Sequence, residues 1–329
     1  MNLLQLPGRI DRISPFMKMH RHWFNRMALC GGLLLFIAEL MAGAGIDLRD
    51  GDRVAFLGGT IFDRDRLYGE LETALVSHFR GREILFRNLG WDGDTVFGHA
   101  RAGGRRGSVF GDAAEGFIKL KEHVERIDPT VVFLGYGGTE AHDGTKAVAA
   151  FEAGINHLLD ALAAPHRRFV LLTPLRVLAE GVPRRVMASH QADLLNVRLK
   201  QYRDVIIGVG AQRAVNVIDL FNSSELLESE GRVNGLHLSQ DGYRALARYL
   251  VQTECQQMEE TKTLNVSQRK ELQTLVQRKN ELFYNWWRPR NDAFVFGERK
   301  SEQVPVQLEL PQYPDLIANL ELSIQEISK

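Results

Sequence analysis

Arg53-Val54-Ala55-Phe56-Leu57-Gly58-Gly59-Thr60 is the stretch that decides the fold. An unbroken apolar run meets a paired glycine, and a hydroxyl residue follows. A strand covered on both faces reads as a continuous apolar run rather than an alternating one. The pattern therefore predicts a buried strand over 54–57 that ends abruptly and carries Thr60 at its carboxyl tip. In an open α/β sheet, working groups lie outside the carboxyl ends of the strands. As an isolated residue, Thr60 also suits the N-cap of a following helix that starts near Arg64.

Outward from this stretch, helical and strand patterns alternate. Apolar residues recur at helical spacing through Leu67, Leu71, Leu75 and Phe79. Strands are predicted over 83–89, 130–134, 168–172 and 214–220. Helices are predicted over 113–127, 148–163, 188–207 and 240–255, the last with Ser239 as its N-cap. Five short apolar strands separated by helices predict a parallel sheet covered on both faces. Right-handed crossovers then bring every strand's carboxyl end to one rim. The glycine-rich ends Gly58-Gly59-Thr60, Gly90-Trp91-Asp92-Gly93-Asp94-Thr95 and Gly135-Tyr136-Gly137-Gly138-Thr139-Glu140 meet there.

The chain has 329 residues, 44% hydrophobic and 25% charged, with a formal net charge of zero. No basic stripe interleaved with aromatics is present, so a nucleic-acid footprint is not expected. Near the start, Lys18, His20, Arg21, His22 and Arg26 precede the apolar run 27–38 and the small residues Ala42-Gly43-Ala44. This is the pattern of an export signal over 1–44. It predicts a periplasmic or secreted bacterial protein, with an N-terminal membrane anchor as the alternative. Of two cysteines, Cys30 falls in that segment and Cys255 is left alone. Residues 257–329 are read as an extension packed on an α/β domain at 48–256. The extension combines a helix around Leu272, Leu275, Val276, Leu282 and Phe283 with extended pieces near Pro305, Pro311 and Pro314, then a terminal helix. Trp286 and Trp287 either stack on carbohydrate or staple this extension to the domain.

Four motifs in order carry a family resemblance. Phe56-Leu57-Gly58-Gly59-Thr60 resembles the first block of SGNH/GDSL-type hydrolases, ordinarily Gly-Asp-Ser. Asn88-Leu89-Gly90-Trp91-Asp92-Gly93 resembles the second, Gly137-Gly138-Thr139-Glu140 stands at the third, and Asn234-Gly235-Leu236-His237 resembles the fifth. The whole chain, with Arg288-Pro289-Arg290-Asn291, resembles a planctomycete-type branch that carries Gly-Gly-Thr in place of Gly-Asp-Ser. The resemblance implies a three-layer, flavodoxin-like α/β fold and an ester hydrolase needing neither metal nor cofactor. It implies a small-molecule or carbohydrate ester substrate, with carbohydrate O-acetyl esters as one class. The catalytic positions would be Thr60, His237 and Asn234, and the oxyanion hole Thr60, Gly93 and Thr139.

Three of these positions depart from the family pattern. Thr60 replaces serine, Thr139 replaces asparagine and Asn234 replaces aspartate. In a serine-protease triad, Asp-to-Asn costs about 10⁴ in turnover, and removing one oxyanion donor costs about 10²–10³. The departures predict impaired turnover, or a silent domain that binds a glycan or partner. Glu140, Asp94 and Asp241 are the candidate substitute carboxylates, and Trp91 the candidate sugar platform.

Overall fold

The computed structural model describes residues 45–101, 113–178, 189–224, 231–255, 263–288 and 300–329. The export-signal reading over 1–44 lies outside them. Among the described residues, no helix is long and apolar enough to cross a membrane.

The strands are β1 (Arg53–Gly58), β2 (Leu85–Asn88), β3 (Val131–Gly135), β4 (Arg168–Leu172) and β5 (Asn216–Ile218). They pair in parallel in the order β2-β1-β3-β4-β5. After β1 the chain crosses to β2 on one side, then returns to place β3 on the other. That reversal makes β1/β3 the switch point, where neighbouring loops diverge and leave a crevice. Register sets Gly58 beside Gly135 at its floor.

Helices cover both faces. In order they are α1 (Thr60–Tyr68), α2 (Glu70–His78), α3 (Ala113–Ile127), α4 (Val148–Leu162), α5 (Ser189–Arg213), α6 (Gln240–Tyr249), α7 (Val266–Trp287), α8 (Lys300–Glu309) and α9 (Tyr313–Ser328). Alternation along β1 divides the core. Val54 and Phe56 face one layer with Phe62, Phe86, Phe133, Leu71 and Tyr243. Ala55 and Leu57 face the other with Leu120, Val124, Phe151 and Leu158. The Phe56 ring stacks on Phe62 at 5.2 Å and meets Phe133 edge-on at 5.4 Å.

Several boundaries differ from the sequence reading. The helix expected over 67–79 is two helices, broken at Gly69, whose φ of 64° ends α1 in the left-handed region open to glycine. The helix expected over 240–255 ends at Tyr249 and continues as one π turn over Leu250–Glu254. Ser239 does cap it, accepting from Gly242 N at 3.3 Å. The extended pieces expected near the prolines are helical instead. Pro311 and Pro314 fall at helix starts, where the missing N–H has no partner to lose. Pro305 sits inside α8.

The C-terminal helices join the first layer by polar contacts as well as apolar ones. Lys279 Nζ on α7 reaches Glu72 Oε1 at 2.5 Å and the Phe86 carbonyl at 2.9 Å, with both side chains buried. Arg87 on β2 pairs with Glu321 on α9. Gln273 and Gln277 each donate to the Tyr68 carbonyl that ends α1, at 2.9 and 3.0 Å. Trp287 meets His123 on α3 edge-on at 4.3 Å, and the Arg126 guanidinium, also on α3, lies over the Trp286 ring at 5.0 Å. The two tryptophans thus staple α7 to α3. Cys255 is buried, which pushes its thiol up to about 12.

Candidate active site

The tip of β1 is pinned from two directions. Gly59 N donates to Gly135 O at 3.1 Å, and Trp91 N donates to Gly58 O at 2.9 Å. A Cβ at Gly58 would stand 2.4 Å from the Gly135 carbonyl oxygen, so only glycine lets β1 and β3 close at this point. The chain then turns directly into α1. Gly59 is its N-cap and Thr60 its first residue. Thr60 is therefore not the N-cap that the isolated residue suggests, and its hydroxyl is free for other work. The first N–H groups of a helix lack intrahelical partners and carry partial positive charge. Thr60 holds its side chain where developing negative charge is favoured.

The hydroxyl is engaged. Thr60 Oγ1 donates to Asp92 Oδ1 at 2.5 Å, and Gly93 N donates to Thr60 Oγ1 at 3.4 Å. Thr139 stands alongside. A Cβ at Gly59 would lie 3.5 Å from Thr139 Oγ1 and 3.2 Å from the Asp94 carbonyl oxygen. An aspartate at this place would thus press on the backbone at Asp94. Glycine relieves that pressure.

A pocket of about 270 Å³ opens over these groups. Gly59, Thr60, Thr139, Glu140, His142 and His237 supply its polar side. Leu175, Val177, Leu195, Leu199 and Leu236 supply much of its apolar wall. Thr60 and His237, the two residues expected at the reaction centre, do share one cavity. His237 is half-buried. Burial, then the Arg64 guanidinium, pushes its imidazole below the usual range, while Asp92 pulls the other way and Arg232 adds a further depression. Burial therefore favours the neutral imidazole, the form a proton acceptor needs. Among the described residues, no hydrogen bond joins its ring to a carboxylate.

The other expected positions are placed differently. Asn234 Oδ1 accepts from Leu236 N at 3.2 Å and His237 N at 3.0 Å. Its side chain holds the loop backbone rather than the imidazole, because the short amide is spent on those N–H groups. Asp94 touches the pocket, but its carboxylate is buried against Arg101 at 2.7 Å and also accepts from Tyr136 OH at 3.3 Å. Glu140 spends one oxygen on Val96 N at 2.9 Å and the other on Gly137 N at 2.8 Å. Burial pushes its carboxyl up to about 7. Glu140 ties the second-block loop to the end of β3. Asp241 is exposed on α6 and pairs with Arg244 at 2.6 Å. None of the three meets the His237 ring. Trp91 does not line the pocket, since the Arg288 guanidinium covers its ring at 3.7 Å and His123 stacks on it at 6.2 Å.

Asp92 is the residue that sequence reasoning missed. It sits one place before Gly93 in the second block, and that adjacency was the available signal. Arg64 was also missed. It lies one helical turn after Thr60, a spacing that puts both on one side of α1.

A second cavity, of about 170 Å³, lies among Arg53, Arg87, His123, Arg126, Trp286 and Trp287. Two of its arginines are already paired, Arg53 with Asp128 and Arg87 with Glu321. Among the described residues, no group of three or more His, Cys, Asp and Glu side chains is arranged to hold a metal ion.

Comparison with known proteins gives a family match over residues 40–245, to the GDSL-like lipase/acylhydrolase family. No curated protein matches. Among solved structures, a gut microbial diltiazem-metabolizing enzyme superimposes with a TM-score of 0.59 at 11% identity, covering 87% of this chain and 97% of its own. An acetylxylan esterase from Geobacillus stearothermophilus gives 0.47 at 16% identity, over 64% of this chain and 98% of its own. An alpha/beta hydrolase from the metagenome of Lake Arreo, Spain, gives 0.47 at 15%, over 62% and 96%. At 11% identity the first of these likenesses is one of fold alone.

Proposed function

The chain belongs to the GDSL-like lipase/acylhydrolase family, and from that membership we propose that it hydrolyses small acyl esters with Thr60 as the attacking hydroxyl. The observation that carries this reading is the Thr60 hydroxyl, held at the start of α1 in the same pocket as His237, whose neutral form burial favours. The imidazole serves the water step as proton acceptor. Gly93 N–H and the Thr60 N–H face the developing oxyanion. Such preorganised donors carry much of the rate in acyl transfer.

Pocket size bears on the substrate. Ligand pockets commonly span about 300–1,000 Å³, and this one is smaller at about 270 Å³. An apolar wall with Thr139 and the exposed His142 on its polar side suits a short acyl group on a polar alcohol. A carbohydrate O-acetyl ester fits that description. Turnover falls below that of a serine centre, because the threonine methyl restricts χ1 and crowds the line of attack. The charged and apolar run before residue 45 supports action outside the cytoplasm.

A second reading is a silent domain that binds a glycan or partner in the same cleft. The His237 ring, which meets no carboxylate among the described residues, favours it. Turnover of p-nitrophenyl acetate and acetylated sugars by the wild type, Thr60→Ala and His237→Ala decides between them. The ester reading expects activity lost in both variants. Equal rates in all three would sink it.

A further inference from the structure

Asp92 is exposed, yet its carboxylate is committed to one partner. Among the described residues it makes no other hydrogen bond and no ion pair. A carboxylate that only shaped its turn would accept from turn N–H groups, as Asp94 does from Ala100 N at 3.3 Å. Asp92 instead meets the hydroxyl of Thr60 at 2.5 Å. An O–H···O⁻ bond of about 2.5–2.7 Å is the charge-assisted kind, roughly twice as strong as a neutral one.

The hydroxyl's remaining valences are also placed. A threonine oxygen has one O–H donor and two lone pairs. The donor goes to Asp92. One lone pair faces the Gly93 N–H at 3.4 Å. The other is open to the pocket. The arrangement removes a proton on one side and leaves electrons on the other, with no help from the imidazole in that step.

We propose that Asp92 is the catalytic proton acceptor for Thr60, a role that rests on the ester reading above. Thr60 Oγ1 bonds to the acyl carbon as its proton passes to Asp92, and the carbonyl π pair moves onto oxygen beside the Gly93 N–H. When the carbonyl re-forms, the ester C–O bond breaks, and the departing alkoxide takes the proton from Asp92. Water then attacks the acyl-threonine and gives a proton to His237. That proton returns to Thr60 as its bond to the acyl carbon breaks. The sum is ester plus water to acid plus alcohol.

The test uses the full chain as wild type, Asp92→Asn, Asp92→Ala, Thr60→Ala and His237→Ala. Two readouts are taken: p-nitrophenyl acetate turnover, and fluorophosphonate labelling of Thr60 read by peptide mass spectrometry. Loss of a general base typically costs about 10²–10⁴ in rate, and Asp92→Asn is expected to fall in that range with thermal stability unchanged. Thr60 labelling should fall with it. Added formate should restore part of the Asp92→Ala rate and none of the Thr60→Ala rate, an effect that a merely structural role would not show. Asp92→Asn at the wild-type rate, with Thr60→Ala inactive, overturns the role of Asp92 and leaves the ester reading standing. A faster Asp92→Ala would mark the carboxylate as a brake and overturns it too. A wild type that neither turns over nor labels overturns both.

Discussion

Replacing Lys279 by methionine should cost far more than one surface-to-core contact would suggest. Its ammonium lies 2.5 Å from Glu72 Oε1, and the two side chains are 1% and 4% exposed. Burial pushes the Lys279 ammonium below its usual range and the Glu72 carboxyl above, each offset by the partner's charge. Methionine keeps much of the stem's volume but strands Glu72 in a dry layer. Breaking a buried ion pair from one side costs about 3–5 kcal/mol. Each kcal/mol is worth about 2–4 °C in a domain of this order, so Tm should fall by roughly 6–20 °C. The control is Glu72→Leu with Lys279→Met, because replacing both partners by apolar groups is often neutral or better. Urea denaturation of both variants measures the difference. A single variant within about 0.5 kcal/mol of wild type, the range of ordinary surface changes, would refute burial of the pair. A double variant as unstable as the single would show that the loss is packing rather than stranded charge.

Other outcomes follow from the site and its supports. With the water step limiting, the acid limb of kcat should lie below that of a free imidazole, because His237 takes its proton in that step and burial and Arg64 depress it. Arg64→Gln should move that limb upward, and an unchanged profile would count against the assignment. Asp65 is buried and raised to about 8, and Glu140 is raised to about 7. Both folded-state values exceed the unfolded ones, so their contribution is full below about pH 4 and is lost as pH rises toward 8. Asp65→Asn should flatten chemical-denaturation stability across that window. Gly58→Ala drives a Cβ against the Gly135 carbonyl. Overpacking typically costs about 1–3 kcal/mol, so a Tm equal to wild type would contradict the close approach of β1 and β3.

The middle of the sheet was legible because β1, β3 and β4 are short apolar runs stopped close by a glycine or proline. Val54–Leu57 and Val131–Leu134 leave little choice of conformation, and their order forces the crevice. Helix Ala113–Ile127 ends at its expected residue because its apolar stripe is regular. The proline-rich tail misled, since a proline's meaning depends on its position in a turn that only packing sets. The site divides in the same way. Motif order located Thr60 and His237 in one cavity, but no spacing tells which carboxylate a hydroxyl will face. Asp92, Asp94 and Glu140 are alike as letters. Only the fold buries Asp94 on Arg101, spends Glu140 on two backbone groups and leaves Asp92 for Thr60. Trp91 looked available for the same reason, until Arg288 closed over it.

The contacts of α7 also impose an order of events. A ribosome releases Glu72 some two hundred residues before Lys279. Until then, the nascent chain lacks the ammonium that meets that carboxylate. Gln273, Gln277 and Arg288 arrive in the same late stretch and close on Tyr68 and Asp63, the far end and first turn of the helix that begins at Thr60. The support of the helix that presents Thr60 is therefore finished last, although the strand before it is made first. An early-terminated product would carry every motif of the pocket and still lack the part that fastens the helix beginning at Thr60.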